Sequence, residues 1–504
     1  MPAAASRLLL VPALRPVVRL VQRALDRLRE AGCPLGRVAA VSGSGQQHAS
    51  VYWTPAGVSS LRGLDAGKGS ALGQLSAAFA TEHSPIWMDT STTKGCREMT
   101  ELAGGALELA RWTGSTAQER FSGHHFRRFI AEHGLAGLGA LSLASSFGAS
   151  LLCGDVVPVD KSDAAGMNMM DIRSKCWHEA LLEFVAPGQA EALRSLLAEP
   201  QDSWATCGPL HQFWVERYGF NPRCSVTTWS GDNPCAVVGS GLVREGDIAI
   251  SLGTSDTVLS VIPALPDAPL PFGHLFPHPI LPGCYWSMLC YTNGDVTRRK
   301  VRDDFFSAGP EGWEAFSRAI SETPPGNSGT VGMFFTTDEI TPAVSKGPDY
   351  RARDLLPTAL ECVEAFEEPR WNARAVIEMR ALAARNHLVK LMPKLLEPPA
   401  DGAEPPQLLV TGGASGNPAI LQVYADVFQR PVRCMENTEG AGFGAAVRAL
   451  HASGTVGAAD IFARLTSSGE VRATPDPKAA SAYAAAAERY AALEAMALGE
   501  RGRQ

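Results

Sequence analysis

No apolar run in the 504 residues approaches the roughly 18 needed to cross a bilayer as a helix, so a membrane-embedded chain is not expected. Nor is there a CxxC pair: eleven cysteines are scattered singly, which leaves neither a disulfide framework nor a zinc site to read. Such an odd, unpatterned set suits reduced thiols and a cytoplasmic setting. No block of lysine and arginine stands out against a formal net charge of −7, so neither nucleic acid nor a membrane surface is an expected partner. The GxxxxGK[ST] and GxGxxG fingerprints are absent too, which sets aside the P-loop and dinucleotide-binding classes. No repeat shows in the sequence.

What is present is a globular composition, 45% hydrophobic and 19% charged, with mean hydropathy close to zero. The length is too great for one ordinary core and favours two large domains. The opening stretch, residues 1–25, contains no acid and carries Arg7, Arg15, Arg19 and Arg23. That fits a mitochondrial transit peptide, with the matrix as the alternative compartment. It also fits a surface helix, because Val17, Val21, Leu25 and Leu28 recur at helical spacing. The helix is preferred, since it leads without a break into a core strand at Val38–Val41.

From residue 38 to about 240, short apolar strands alternate with helical stretches, as in an α/β domain; Cys224–Trp229 reads as a buried strand. A second α/β section starts near Gly246. There Asp247–Leu252 and Asp256–Ile262 flank Gly253-Thr254-Ser255, a β-hairpin with a small-residue tip. Residues 263–283, rich in proline and glycine, are expected to be a loop. A helix is expected over 371–396, then a strand at Leu408–Thr411, a glycine turn, a helix around Leu421–Phe428, and an alanine-rich helix over 478–497. The expected division is 1–240, 241–460 and a helical tail, 461–504.

Four segments carry candidate chemistry. At Gly253-Thr254-Ser255, small residues let backbone amides approach an anion and two hydroxyls add donors, though a plain turn gives the same pattern. Thr411-Gly412-Gly413-Ala414-Ser415 sits between a strand and a helix, where backbone can approach a nucleoside or phosphates; a tight βα connection is the other reading. Ser230-Gly231-Asp232-Asn233-Pro234 puts a carboxylate at a strand end, placed to take a proton from a sugar hydroxyl, or to cap the helix that begins at Pro234. Gln46-Gln47-His48 offers amide and imidazole groups suited to hydroxyls, although a lone histidine is often structural. Arg120 suits a polar ligand or an ion pair with Glu119 or Glu132.

In order along the chain, six segments resemble the FGGY carbohydrate kinases over about residues 15–455. They are Ser42-Gly-Ser-Gly-Gln-Gln-His48, Trp87-Met-Asp-Thr-Ser91, Ser162-Asp-Ala-Ala-Gly-Met-Asn168, Gly231-Asp-Asn-Pro234, Gly246-Asp-Ile-Ala-Ile-Ser-Leu-Gly-Thr-Ser-Asp256 and Thr411-Gly-Gly-Ala-Ser415. Within the family, Gln-Gln-His followed by Ser50-Val-Tyr-Trp53 points to xylulose over glycerol, gluconate or rhamnulose. The resemblance implies an α/β fold of two ribonuclease-H-like domains, of the actin and hexokinase type, closing on a cleft that holds sugar and ATP with Mg²⁺. It implies that Asp232 is the catalytic base and that His48, Arg120, Asp232 and Asn233 bind the sugar. It implies Gly253, Thr254 and Ser255 as a phosphate loop, Gly413, Ala414 and Asn417 as adenosine contacts, and Trp313 facing the adenine. Asp163 and Gly166 are read as structural, and no protein residue is assigned to metal.

Family members also begin with a phosphate-binding hairpin, Asp-x-Gly/Ser-Thr at its tip, ahead of the first helix. Met1–Arg15 contain no Asp, Glu or Gly, so that hairpin and the strands beside it are expected to be missing from the first domain, leaving strand 38–41 with an open edge. A longer natural chain is the preferred explanation. An inactive sugar-binding isoform is one alternative, and a kinase for another ketose or polyol a second. Oligomeric state is not legible.

Overall fold

The computed structural model describes residues 10–12, 15–356, 359–397, 405–434, 440–466 and 469–502. A three-residue strand, Leu10–Pro12, pairs antiparallel with His83–Pro85, so one strand does precede the first helix, α1 (Arg15–Glu30). Val17, Val21 and Leu25 rest partly buried on the first half's core around buried Val18, while Leu28 stands in solvent. Helical spacing therefore located the inward face, but the stripe ends a turn early because the last turn overhangs the core.

The first half is built from short strands. β1 (Ala40–Val41), β2 (Ser50–Trp53) and β3 (Ala140–Leu143) come first, followed by helix α2 (Ala144–Cys153). β4 (Thr206–Pro209), β5 (Ser225–Thr227) and helix α3 (Asp232–Gly239) complete the part that positions the site. β1 runs parallel to β5, β4 pairs antiparallel on β5's other side, and β2 pairs with β3. β1 is thus an edge strand among the described residues, as expected. The core beneath these strands gathers Trp53, Phe147, Phe213 and Trp214.

The second half is a seven-stranded sheet. Its strands are β6 (Ile248–Leu252), β7 (Asp256–Ile262), β8 (His274–Pro277) and β9 (Tyr285–Tyr291), followed later in the chain by β10 (Leu408–Thr411), β11 (Val432–Cys434) and β12 (Glu470–Ala473). The spatial order is β8-β9-β7-β6-β10-β11-β12, with the β6/β7 hairpin antiparallel and β10 parallel to β6. Residues 263–283 are not all loop: β8 forms inside them. Its Pro277 is tolerated because it is the last residue of β8, the outer strand of the sheet, where a missing N–H breaks no ladder.

Five helices pack on or beside this sheet: α4 (Asp295–Phe305), α5 (Pro310–Glu322), α6 (Pro369–Leu391), α7 (Pro418–Phe428) and α8 (Gly440–Ser453). The expected period of Val376, Met379, Ala383 and Leu388 is buried, but so are Arg374, Glu378 and Arg380 on the other faces. A helix covered all round keeps charges only when they are paired: Arg374 Nε lies 2.8 Å from Glu378 Oε1 and Arg380 Nη2 lies 3.0 Å from Glu339 Oε2. The last helix, α9 (Ala480–Arg501), buries Tyr483 and Tyr490, and Tyr483 Oη donates to Glu378 of α6. Residues 461–504, expected as a helical tail, thus supply a sheet strand and a core helix.

The halves meet where α3 crosses α8. A Cβ on Gly239 would lie 1.8 Å from Gly440 O, and one on Gly444 would lie 1.8 Å from Cys235 O, so only glycine permits this approach. Arg448 of α8, fully buried, donates to Ser203 O and Thr228 O of the first half.

Candidate active site

A cavity of about 320 Å³ is lined by Gln46, Gln47, His48, Trp87, Arg120, Asp232, Asn233 and Met288. Every residue expected to bind sugar is therefore in one place, although they come from three separate stretches of chain. Met288 belongs to β9 of the second half, so the cavity lies between the halves.

Asp232 is the first residue of α3, and Gly231, not Asp232, is the residue that caps it. The Asp232 carboxylate accepts the Gln47 N–H at 3.4 Å. Burial pushes its pKa up, and the N–H groups of Gln47, Asp232 and Asn233 pull the other way. No cation pairs with it among the described ion pairs. The result is a carboxylate raised in basicity but held at a helix N-terminus, which suits a proton acceptor better than a salt-bridge anchor.

His48 sits in the left-handed region, with φ +69°, a conformation that non-glycine residues keep mainly where surrounding structure imposes it. Its ring stacks on Phe121 with centroids 4.8 Å apart, and Nδ1 lies 3.0 Å from Gly166 O. Burial, then the nearby Arg120 charge, lowers its pKa to about 3. The ring is therefore neutral; a carbonyl can only accept, so Nδ1 carries the hydrogen and Nε2 presents a lone pair.

Arg120 does not pair with Glu119 or Glu132. Glu119 instead accepts from Thr93 Oγ1, and Arg120 Nη2 lies 3.3 Å from His274 Nε2. His274 Nδ1 in turn lies 3.1 Å from Ser115 Oγ. Burial lowers the Arg120 pKa, with no carboxylate opposing it. A buried guanidinium with a neutral neighbour and a cavity in front of it is a ready site for electronegative ligand oxygens.

Gln47 joins these groups. Its Oε1 accepts from Asn233 Nδ2 at 2.8 Å, and its Nε2 donates to Asp163 Oδ1 at 3.2 Å. Asp163 also accepts from Ser145 of α2. A chain of hydrogen bonds thus runs from α2 through Asp163 and Gln47 to Asn233, and it fixes which way both amides point. Sequence reading singled out the Gln-Gln-His run but carried only His48 into the binding set; the adjacent Gln47 was the signal for the rest. Trp87, from the second of the six segments, lines the cavity half-exposed and was not among the expected contacts.

Asp163 is fully enclosed, and burial followed by repulsion from Asp160 pushes its pKa up to about 7. A carboxyl whose folded pKa is raised binds its proton more tightly when folded, so the stability it brings is full below pH 4 and is lost as pH rises to about 7. Asp163→Asn is expected to remove that slope. Unfolding free energy of the variant should lose about 3 kcal/mol less than the parent's between pH 4 and 7, in urea titrations at each pH. Parallel pH profiles would show that Asp163 is ionised throughout.

The two glycine turns lie side by side. β6 and β10 are parallel neighbours, so Gly253 and Gly412 follow adjacent strand ends. Gly412 has φ +90°, and a Cβ there would lie 2.5 Å from Leu252 O, which fixes glycine at that position. Thr254 and Ser255 are exposed at the hairpin tip, and nothing lies within 4 Å of a Cβ placed on Gly413. Behind the tip, Arg298 of α4 grips Asp256 with two bonds, 2.7 and 3.0 Å, and donates to Gly253 O at 3.0 Å. Asn417 caps α7 through Ala419 N–H and Ile420 N–H, and its Nδ2 donates to Ser317 Oγ of α5 at 2.6 Å. Trp313, one turn earlier on α5, is half-buried, with the Arg302 guanidinium 4.7 Å from its ring centroid. Gly413, Ala414, Asn417 and the Trp313 helix therefore share one corner beside the hairpin tip.

Residues 248–453 match the model of the FGGY family of carbohydrate kinases, C-terminal domain. Xylulose kinase 2 of Arabidopsis thaliana is 40% identical over 435 residues, 85% of this chain and 75% of that one. Xylulose kinase of Mus musculus is 38% identical over 496 residues, 95% of this chain and 84% of the mouse protein. The crystal structure of xylulose kinase from Rhodospirillum rubrum superposes with a TM-score of 0.71 at 18% identity, covering 92% of this chain and 85% of that one, and so shares the two-domain fold. With 40% and 38% identity sustained over most of both partners' lengths, this chain belongs to the FGGY family of carbohydrate kinases.

Proposed function

We propose that this chain transfers the γ-phosphoryl group of ATP to D-xylulose, giving D-xylulose 5-phosphate, with Asp232 as general base. The observation that carries the reading is the buried, cation-free Asp232 carboxylate in a cavity that also presents Arg120, Asn233 and the His48 lone pair. The relatives named xylulose kinase supply the substrate.

In this reading, Arg120 and Asn233 donate to sugar oxygens and His48 Nε2 accepts from a hydroxyl. Trp87 and Met288 supply apolar surface for the carbon chain. Asp232 takes the proton of the terminal hydroxyl as that oxygen bonds to the γ-phosphorus and the bond to ADP breaks. Gly253, Thr254 and Ser255 hold phosphate oxygens, and Gly413, Ala414, Asn417 and Trp313 border the adenosine. Closing the halves about the α3–α8 crossing would exclude water from the phosphoryl donor.

Among the described residues no three His, Cys, Asp or Glu side chains gather as a cation site, and Asp232 is the cavity's one carboxylate. Mg²⁺ would enter with the nucleotide beside the Gly253–Ser255 tip and would supply charge neutralisation on the phosphates. All eleven cysteines are unbridged, and no described helix is long and apolar enough to cross a membrane. We place the protein in the cytoplasm on that basis.

A substrate panel tests the reading. ADP release should require sugar, and kcat/KM for D-xylulose should exceed that for D-ribulose, glycerol and D-gluconate by about 100-fold, the upper end of the roughly 1–3 kcal/mol cost of leaving one buried polar group unpaired. A preference for glycerol or gluconate would overturn it.

A further inference from the structure

Cys153 is the last residue of α2, and Cys207 lies in β4 where the pairing with β5 slips between Thr206 and Gly208. A slip of this kind re-aims one side chain out of the strand's regular alternation. Both cysteines line one cavity of about 280 Å³, with Asp155, Val157, Gln201 and Pro209 among its other walls. None of these residues lines the sugar cavity. Cys207 is the neighbour that, ahead of burial, pushes the Cys153 thiol pKa up, so the two side chains interact across this cavity.

The backbone around the pair is held firmly. His211 N–H donates to Leu152 O at 2.8 Å, tying the segment after β4 to the end of α2. Trp214 Nε1 donates to Leu151 O at 2.8 Å, and Val157 N–H donates to Ser150 Oγ at 3.0 Å. Two cysteines held by firm flanks on one cavity that admits a small molecule are placed for exchange chemistry.

We propose that Cys153 and Cys207 form a modification site, a dithiol that closes to an intramolecular disulfide by exchange with a small-molecule disulfide of the glutathione class. The Cys207 thiolate attacks one sulfur of the oxidant, forming a mixed disulfide and releasing one thiol. The Cys153 sulfur, giving up its proton, then attacks Cys207 and expels the second thiol. Two protein thiols and one disulfide become one protein disulfide and two small thiols. The order follows from the local chemistry: Cys207 and burial both hold the Cys153 proton in place, so Cys153 is the resolving partner. Closure would join α2, which holds Asp163 through Ser145, to the β4–β5 pair that leads into Asp232.

The folded chain, incubated with oxidised glutathione and then alkylated and digested, tests this. The expected result is loss of alkylation at both Cys153 and Cys207 with recovery of a linked peptide containing them. Exposed Cys176 and Cys362, treated in the same tube, should carry glutathione instead. In Cys153→Ser, Cys207 should retain a glutathione adduct, and in Cys207→Ser, Cys153 should stay alkylatable. Recovery of both thiols alkylated in the parent while Cys176 is modified, or separate stable adducts on both, would overturn the proposal; the parent protein alone decides this if a variant fails to fold.

Discussion

Asp232→Asn is expected to lower kcat for D-xylulose phosphorylation by about 1,000-fold, within the range that a positioned general base contributes. Asparagine keeps the volume of the side chain and an oxygen that can accept the Gln47 N–H, so the chain from Gln47 to Asn233 survives. What disappears is the ability to take a proton. The affinity for D-xylulose, measured by calorimetry, should change by no more than about 3-fold, the size of a lost neutral hydrogen bond. Fold stability should also hold, because Gly231 occupies the capping position and the charge lost from the helix N-terminus is one that burial already opposes. The opposite pattern, near-parental kcat with stability lowered by about 1 kcal/mol, would assign Asp232 to helix capping.

Arg298→Met should damage both the nucleotide step and the fold. Arg298 is the bidentate partner of fully buried Asp256 and one of two groups that hold Gly253 O, the other being Asp295 N–H. Removing it leaves Asp256 facing only Arg380, whose Nε is 3.7 Å away. Breaking a buried pair from one side costs about 3–5 kcal/mol; Arg380 places this case at the low end, about 3 kcal/mol in urea unfolding. The hairpin tip loses an anchor, and kcat/KM for ATP should fall about 10- to 100-fold, the penalty of a phosphate grip displaced by a fraction of an ångström. The KM for D-xylulose should stay within about 3-fold of the parent's, since Arg298 does not line the sugar cavity. Arg298→Lys keeps the charge but loses the fork, and should fall between the two. Unchanged ATP kinetics in a stable Arg298→Met protein would remove the hairpin tip from the phosphate site.

Where the chain is governed by short-range rules, the sequence was readable. The β6/β7 hairpin shows its small-residue tip between two apolar runs, and its observed bounds agree with that reading to within one residue. Gly412 announces its turn because only glycine fits φ +90° against Leu252. Other features depend on neighbours distant in sequence. β8 inside a proline-rich stretch exists because β9 offers it an edge, and α6 keeps charges on every face because each finds a partner elsewhere in the fold. The site divides the same way. His48 and Asp232 stand in short recognisable runs, but their properties come from packing: His48 is neutral because Arg120 and burial act on it, and Asp232 is basic because the cavity wall covers it. Asp163 was read as structural, and it does sit behind the cavity; only the folded chain shows that it aims Gln47 at Asn233.

The most direct measurement is a phosphorus and proton NMR spectrum of the product formed from D-xylulose and Mg-ATP by this chain. The account predicts a single new phosphomonoester, coupled to the C5 methylene protons, growing as ADP appears. A phosphate on C1, or ADP accumulating with inorganic phosphate and no sugar phosphate, would contradict it.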